Sequence, residues 1–255
     1  MDLEKAVLEL QNPRMDPTSL IERLIAEEGD AASALLARLA VLQAGSKPPL
    51  EIALAPPHSM PRRVNFRLPL GIKSSVAKLA TRRIVIALDA LRAAAAVPRL
   101  IDLFARAPFD TKLCEAVGWA LANVGEAALL PLFSFTRRRQ IEAAARSLGI
   151  VTLGYIDDPR VPTILNHLWR EYGLEAPRLA LVALLGLTVC GSGEEAHMRA
   201  LETEQLWRAR GPGDHARTGT EFETAAELLR RAYKTIRNTE SLPTWPSVVQ
   251  MLGRR

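Results

Sequence analysis

Hydrophobic positions recur every three to four residues along most of this chain, and that spacing predicts helices rather than strands. Three segments carry the strongest apolar stripes: 111–124, 140–156 and 175–190. A glycine stands at or beside the end of each: Gly125, Gly154 and Gly191. Glycine is common at helix ends because it adopts the left-handed conformation without a steric penalty. We therefore expect three apolar helices that end in left-handed caps.

Prolines recur ahead of these helices at a nearly regular interval. Pro98, Pro131 and Pro162 are 33 and 31 residues apart, and an apolar run follows each one. Proline is tolerated in the first helical turn because its missing N–H would have no intrahelical partner there. Each proline therefore predicts the start of a first helix, which is followed by a break and a second, more apolar helix.

The second helices match one another when the sequence is shifted by 31 residues. Two sets then align, and each forms one stripe on a helical wheel: Leu113, Val117, Ala120, Leu121 and Val124 with Ala144, Leu148, Val151, Thr152 and Tyr155. Helix pairs that recur about every 30–40 residues are typical of α-solenoids, in which each pair buries its apolar face against its neighbours. The pattern predicts an all-α solenoid.

The helix pairs also resemble a known family. The stretches AAVPRLIDLF, LCEAVGWALANVG and GYIDDPRVPTILNHLW are similar to HEAT repeats, in particular the short bacterial kind known from phycobilisome lyases. The DDPRVP stretch at 157–162 is close to the inter-helix turn of that kind, and VIALDALRAAAAVP resembles a second helix with a degenerate turn. The resemblance covers about residues 80–193. It implies an α–α superhelix, a fold that serves scaffolds, lyases, glycosylases and transport factors alike.

The sequence outside the repeats predicts capping helices at both ends of one continuous domain. Its expected parts are N-terminal capping helices (1–44), a proline-rich arm (45–72), HEAT-like repeats (73–193) and C-terminal capping helices (194–255). The helices expected in the two caps lie at 3–12, 17–28, 31–43, 194–209, 220–237 and 244–252. In the arm, apolar and polar residues alternate on both sides of a proline-rich tip, which predicts a short β-hairpin or an extended segment. A functional contact, inert packing and disorder all remain open for this arm.

Composition narrows the compartment and the class of protein. The chain is 48% hydrophobic and 24% charged, which is ordinary for a soluble globular protein. Its longest apolar run, 179–191, is shorter than the roughly 20 residues that cross a bilayer, and it predicts a fully buried helix. Cys114 and Cys190 lie in apolar helical runs, so we expect buried, reduced thiols. With no signal peptide at the N-terminus, these features predict a cytoplasmic protein without membrane insertion.

The sequence contains no recognisable catalytic motif. Its four histidines are scattered, and the single Glu194-x-x-His197 lacks the second copy that a di-iron bundle needs. Phosphate-binding, dinucleotide-binding and nucleophile-elbow motifs are missing from the sequence. We therefore assign no catalytic residue, no metal ligand and no cofactor, and we favour a non-enzymatic role. A lyase or isomerase pocket in the groove is a third hypothesis, which no particular residue supports.

Positive charge is concentrated in one segment. Residues 46–112 carry 12 basic and four acidic side chains, which leaves the arm and the next helix strongly basic. The candidate basic patch consists of Arg62, Arg63, Arg67, Lys73, Lys78, Arg82, Arg83 and Arg92. It could bind nucleic-acid phosphates, bind an acidic protein, or form ion pairs with the acidic N-terminal helices. A second cluster, Arg137, Arg138 and Arg139, is expected to satisfy the carbonyls at a helix end.

Trp119 lies off the apolar stripe of its helix, beside polar positions. Its counterpart at the 31-residue offset is Ile150. An apolar residue at this position either packs against the next repeat or lines the concave groove of the solenoid. The candidate partner-binding residues are Trp119, Glu115, Asn123, Arg146 and Ile150.

These patterns support two hypotheses from different classes. The leading one is a non-enzymatic adaptor or scaffold that holds a protein partner in a concave groove, and an acidic protein is one kind of partner that the basic patch would suit. The alternative is a nucleic-acid-binding protein, of the HEAT-like DNA-binding or glycosylase type, that uses the basic 62–92 segment. Salt dependence separates the two, because phosphate contacts weaken steeply with ionic strength and an apolar anchor does not.

Overall fold

The structure, a computed structural model, describes residues 3–10, 12, 14–26, 29–45, 74–106, 110–173 and 176–210. These residues form α-helices joined by turns, together with one short 3-10 helix at Ala94–Ala96, and no strand occurs among them. The all-α prediction is confirmed. The helices are α1 (Leu3–Glu9), α2 (Pro17–Ala26), α3 (Gly29–Gly45), α4 (Ser74–Ala90), α5 (Val97–Arg106), α6 (Thr111–Val124), α7 (Glu126–Thr136), α8 (Ala143–Gly154), α9 (Val161–Tyr172), α10 (Pro177–Val189) and α11 (Gly193–Arg210).

The chain divides into two compact units, Met1–Leu91 and Arg92–Arg255. In the first unit α1 packs against α2 and α3, and α4 packs against α2 and α3. Leucines from α2 and α3 and Ile84 from α4 are fully buried in this unit. The three N-terminal helices are found where the sequence predicts them. The arm expected at 45–72 lies outside the described residues except for Gly45, which ends α3.

The second unit contains successive helix pairs. α5 packs against α6, α7 against α8, and α9 against α10, and α11 then packs against α10. The second helices of the pairs also contact one another, α6 with α8 and α8 with α10. The capping helix expected at 194–209 is present as α11, and those expected at 220–237 and 244–252 lie outside the described residues.

Two of the three repeat prolines begin helices and one does not. Pro98 and Pro162 each stand second in their helix, so their missing N–H costs no hydrogen bond. The prediction for Pro131 is wrong, because it lies inside α7, which already begins at Glu126. Gly125 turns the chain there with a φ of 72° and allows α7 to follow α6 directly. Pro131 and Ala127 are both exposed, so water can hydrate the Ala127 carbonyl that has lost its donor.

Glycine has two different roles at the ends of the second helices. Gly191 has a φ of 86° and the Ser192 N–H donates to the Leu187 carbonyl at 2.9 Å, so the left-handed cap expected there is confirmed. The left-handed cap expected at Gly125 is wrong, because its φ of 72° is combined with a ψ of −130° where α6 ends and α7 begins. The left-handed cap expected at Gly154 is wrong, and this residue serves close helix packing instead. A Cβ on Gly154 would lie 2.6 Å from the carbonyl oxygen of Gly186, and one on Gly186 would lie 3.0 Å from Cδ2 of Leu165. The backbones of α8 and α10 therefore touch where any larger residue would separate them.

Helices α8 and α10 are buried around most of their circumference. Residues 147–154 of α8 and residues 179–187 of α10 are all buried, so the fully buried helix predicted at 179–191 is confirmed for that length. The closest approach of the two helices is at a glycine of each, Gly154 and Gly186. None of the helices in the described part of the chain combines the length and the apolarity that crossing a membrane requires.

The turn before α9 is held by one arginine. The guanidinium of Arg160 contacts Oδ2 of Asp158 at 2.7 Å and Oε1 of Glu126 at 2.8 Å. The backbone N–H of Arg160 also donates to Oδ1 of Asp158 at 2.9 Å. These hydrogen bonds from Arg160 lower the pKa of Asp158 from its ordinary 3.8 to about 2. The turn therefore links the beginning of α7 to the beginning of α9.

Replacing Gly154 by alanine is expected to lower the free energy of unfolding by about 1–3 kcal/mol, because its Cβ would be forced against the Gly186 backbone. Chemical denaturation followed by circular dichroism measures this change. Gly193→Ala is the matched control, because a Cβ there meets nothing nearer than 4.0 Å. Equal stability of the two variants would show that α8 and α10 do not depend on this contact.

The Asp158 turn predicts a pH dependence of stability. Because the folded pKa of Asp158 lies below the unfolded value, its ionised form favours folding. This contribution is present above about pH 4 and is lost as the pH falls towards about 2. We expect wild type to be more stable than Asp158→Asn at pH 5, with a difference that shrinks towards pH 2 in urea titrations. A difference that stays constant over this range would contradict the assignment.

Candidate functional site

Trp119 projects from the side of α6 that lies opposite its buried stripe, and its ring packs against that of Tyr155 at the end of α8. The ring centroids of Trp119 and Tyr155 are 5.2 Å apart with an interplanar angle of 59°, a favourable tilted arrangement. Trp119 is nevertheless 39% exposed to solvent. Trp119 thus packs against the next helix pair, as one of the two expectations had it, and part of its indole surface stays exposed. Burial raises the pKa of Tyr155 to about 12, so its phenol stays protonated at neutral pH.

Helix α6 presents this residue because of how its own sequence folds. The carboxylate of Asp110 accepts the backbone N–H of Leu113 at 3.2 Å and caps the helix start. The stripe that includes Leu113 faces the core, as predicted. Glu115, Trp119 and Asn123 follow one another at four-residue spacing and thus share the opposite side. Glu115 is half-buried there and Asn123 is exposed, so the structure brings these three candidate residues together.

The other two candidate residues lie elsewhere. Ile150 is 0% exposed, and its carbonyl oxygen lies 3.4 Å from the position of a Cβ on Gly186. Its interpretation as a surface contact is therefore wrong, because α10 covers it. Arg146 donates from Nη2 to the Arg138 carbonyl at 2.7 Å and lies over the Tyr172 ring at 5.8 Å. It thus stabilises the end of α7 and is not part of the Trp119 face.

Tyr155 is the site residue that sequence reasoning missed. The 31-residue shift relates it to Gly186, just as it relates Trp119 to Ile150. The pair Trp119–Tyr155 between α6 and α8 therefore corresponds to the pair Ile150–Gly186 between α8 and α10. Where the second pair has glycine the helices meet closely, and where the first pair has two rings part of the indole stays in water. The sequence signal that could have found it is that Tyr155 stands where the next repeat, 31 residues later, has Gly186.

The basic patch is divided by the structure. Arg62, Arg63, Arg67 and Lys73 lie outside the described residues. Lys78, Arg82 and Arg83 share α4, and Arg92 is the first residue of the other unit. Nη1 of Arg83 donates to the carbonyls of Leu10 at 3.2 Å and Asn12 at 2.6 Å. Arg83 thus satisfies carbonyls at and after the end of α1, a role that needs no partner.

The arginine cluster after α7 does not cap the helix as expected. Nε of Arg137 pairs with Oε2 of Glu171 at 2.9 Å, and the Arg138 guanidinium lies 5.9 Å from the Phe135 ring centre. The carbonyls are satisfied by other side chains, since the Tyr172 hydroxyl donates to Thr136 at 2.8 Å. The expectation is thus wrong for the side chains of Arg137 and Arg138, whereas the backbone N–H of Arg138 donates to the Phe135 carbonyl at 3.1 Å.

Neither cysteine forms a disulfide, and Cys114 is buried. Burial raises the pKa of Cys114 to about 12, and the Asp110 charge adds to that shift, so the sulfur remains a thiol. Cys190 is only half-buried, and its thiol donates to the Leu187 carbonyl at 3.2 Å. Over the part of the chain that the structure describes, no group of three potential metal ligands comes together.

Replacing Arg83 by alanine is expected to lower the free energy of unfolding by about 1–3 kcal/mol, because two carbonyls near the end of α1 lose a charged donor. Thermal and urea unfolding measure the change. Arg23→Ala removes an exposed arginine of α2 and is expected to change stability by less than about 0.5 kcal/mol. If Arg83→Ala leaves the free energy of unfolding unchanged, Arg83 is again a candidate for contacting nucleic acid.

Comparison with known proteins adds no relative to this picture. No protein-family model, no curated protein and no solved structure matches the chain. The α6 face around Trp119 and Tyr155 is thus the basis on which a function can be argued.

Proposed function

We propose that this protein is a non-enzymatic helical-repeat adaptor that binds a protein partner on the α6 face, with Trp119 as the anchor. The observation that carries the proposal is the indole of Trp119, which stays 39% exposed while the Tyr155 ring holds it at 5.2 Å. Tryptophan is among the residues that dominate binding energy at protein interfaces. A side chain fixed before binding loses little conformational entropy on association, so more of the contact energy appears as affinity.

The adaptor is proposed to be a HEAT-like solenoid. Three consecutive helix pairs, contacts between successive second helices and the DDPRVP turn support this interpretation. The structure nevertheless argues for a smaller contact surface than a groove along all second helices. Residues 147–154 and 179–187 present no exposed side chain, whereas α6 exposes Lys112, Trp119 and Asn123. We therefore place the partner on α6.

The chemistry of the α6 face indicates what kind of partner fits. Around the indole stand a carboxylate (Glu115), an amide (Asn123) and an ammonium group (Lys112). Such a surface has one apolar anchor and a polar rim of mixed charge. The fitting partner has an apolar pocket for one aromatic ring, bordered by polar groups of both signs. A buried Cys114 that forms no disulfide suits a reducing compartment, so we propose the cytoplasm as the location.

Nucleic-acid binding remains the alternative function. Lys78 and Arg82 on α4 are its candidates among the described residues, because Arg83 is engaged with the carbonyls after α1. No aromatic residue stands near them on α4 to stack on bases.

Replacing Trp119 by alanine is expected to abolish partner capture without unfolding the protein. The experiment immobilises wild type, Trp119→Ala and Leu8→Ala and passes nuclease-treated lysate of the source cells at about 0.15 M and 0.5 M salt. Leu8→Ala is the matched control, because Leu8 is an exposed apolar residue of α1. We expect one stoichiometric protein on wild type and Leu8→Ala at both salt concentrations, and a loss of at least about tenfold on Trp119→Ala.

Two outcomes would overturn this assignment. One is a partner retained equally by Trp119→Ala, and the other is the lack of any stoichiometric protein. A parallel anisotropy titration with duplex and single-stranded oligonucleotides tests the alternative, using Lys78→Glu/Arg82→Glu as the variant. Binding that weakens steeply with salt and is lost in that variant would favour the nucleic-acid function.

A further inference from the structure

Side chains of α7 contact those of α9 with a constant shift of 34 residues, and side chains of α9 contact those of α11 with shifts of 29 to 34 residues. At the beginning of α7 and α9, Glu126 pairs with Arg160 at 2.8 Å, and at their ends Arg137 pairs with Glu171 at 2.9 Å. Between α9 and α11, Nε1 of Trp169 donates to Oγ1 of Thr203 at 2.9 Å. Each pair is separated by 34 residues. Because these contacts occur at both ends of α7 and α9, these two helices run in the same direction in one register. Asn166 donates to Glu195 at 2.7 Å further towards the beginnings of α9 and α11, so α11 runs in that direction too.

These contacts bring exposed apolar residues side by side. Positions 130 and 133 of α7 lie one helical turn apart on one side of the helix, between Glu126 and Arg137. On α9 the residues at the 34-residue shift are Ile164 and His167, and on α11 the exposed apolar residues are Met198 and Leu201. We call the six residues the outer strip: Leu130, Ile164, Met198, Phe133, His167 and Leu201. The Phe133 and His167 ring centroids are 5.9 Å apart, so the strip residues of α7 and α9 are in contact.

Three of the six residues of the outer strip are large apolar side chains that stay exposed. Leu130 is 59% exposed, Met198 is 64% exposed and Leu201 is 43% exposed. Single exposed apolar residues are ordinary, but here α7 and α11 carry exposed ones and α9 between them contributes the half-buried Ile164. Apolar patches of this kind mark interaction surfaces. Three helices about 10 Å apart and three turns long give about 500 Å². That area suits a weak interface of about 1,000 Å² in total.

The two edges of the outer strip carry opposite charge. The edge at the helix beginnings has the exposed carboxylates of Glu126, Asp157 and Glu194, with Arg160 among them. The edge at the helix ends has Arg137, Arg138, Arg139 and Arg170, with Glu171 among them. The helix dipoles have the opposite sign, positive at the beginnings and negative at the ends, so they stabilise these side chains and offset part of the asymmetry. The strip is thus an apolar band between an acidic and a basic edge.

We propose that the outer strip is a homodimer interface, in which two copies pack strip against strip around a two-fold axis that runs along the strip. This rotation lays the apolar band of one copy on that of the other and reverses the helix direction. The acidic edge of each copy then faces the basic edge of its partner. A two-fold axis parallel to the helices would instead set like charges against each other. This surface lies on other helices than the Trp119 face, so dimer formation and partner capture are separate properties.

Sedimentation equilibrium of the full chain tests the proposal between about 5 and 500 µM. We expect a reversible approach to twice the monomer mass of 28.0 kDa, with a dissociation constant in the micromolar range. Leu130→Glu/Met198→Glu should weaken the dimer at least about tenfold, because carboxylates would be buried in the apolar band. Both replaced side chains are mostly exposed, so folding should be unaffected, as circular dichroism will show. The control is Leu8→Glu, an exposed apolar residue of the first unit.

Charge exchange tests the direction of the two-fold axis. Asp157→Lys/Glu194→Lys makes both edges basic, and Arg139→Glu/Arg170→Glu makes the basic edge more acidic. Each variant alone should remain monomeric where wild type dimerises, and an equimolar mixture should restore the dimer as a heterodimer. A monomer at every concentration, a dimer that survives Leu130→Glu/Met198→Glu, or a mixture that stays monomeric would each overturn the proposal.

Discussion

Gly154 and Gly186 allow the backbones of α8 and α10 to touch, and the second unit is arranged around that contact. The space for a Cβ on Gly154 is already occupied by the Gly186 backbone, while Leu165 of α9 fills the space beside Gly186. Three helices from two successive pairs therefore meet at one place. Close-packed interiors tolerate little added volume, so the identity of these two residues fixes the distance between neighbouring pairs. The consequence is that α10 and much of α8 are covered on every side.

The two layers of the second unit are joined by different kinds of contact. The second helices meet through small residues, most closely at Gly154 and Gly186. The first helices α7, α9 and α11 are bridged by long side chains, including the ion pairs Arg137–Glu171 and Arg160–Glu126. Long bridging side chains hold their helices further apart than glycines do. Surface between the first helices therefore stays open, and this is why Leu130 and Met198 remain in water on that side.

Much of the fold could be predicted from periodicity, but the structural roles of Pro131 and Gly154 could not. The bounds of α6, the stripe that includes Leu121 and the buried α10 follow from spacing, because burial depends on which side of a helix a residue occupies. Pro131 and Gly154 were misjudged because proline and glycine each serve more than one purpose. A proline can lie on an exposed side within a helix, and a glycine can serve either a cap or a close contact. Which of these applies depends on a neighbouring helix that the local sequence does not specify.

The candidate site shows the same limit more sharply. Trp119 and Ile150 occupy equivalent positions, and their difference in exposure comes from the residue each one meets, Tyr155 or Gly186. An equivalent position in a repeat thus predicts the direction in which a side chain projects, while its exposure depends on the size of the residue that it meets on the next helix. An aromatic pair at this position keeps α6 and α8 from closing as α8 and α10 do. The aromatic residue at position 155, in place of a glycine, loosens the packing between α6 and α8 and also leaves the Trp119 ring partly exposed. The looser core and the exposed binding surface therefore have one structural cause.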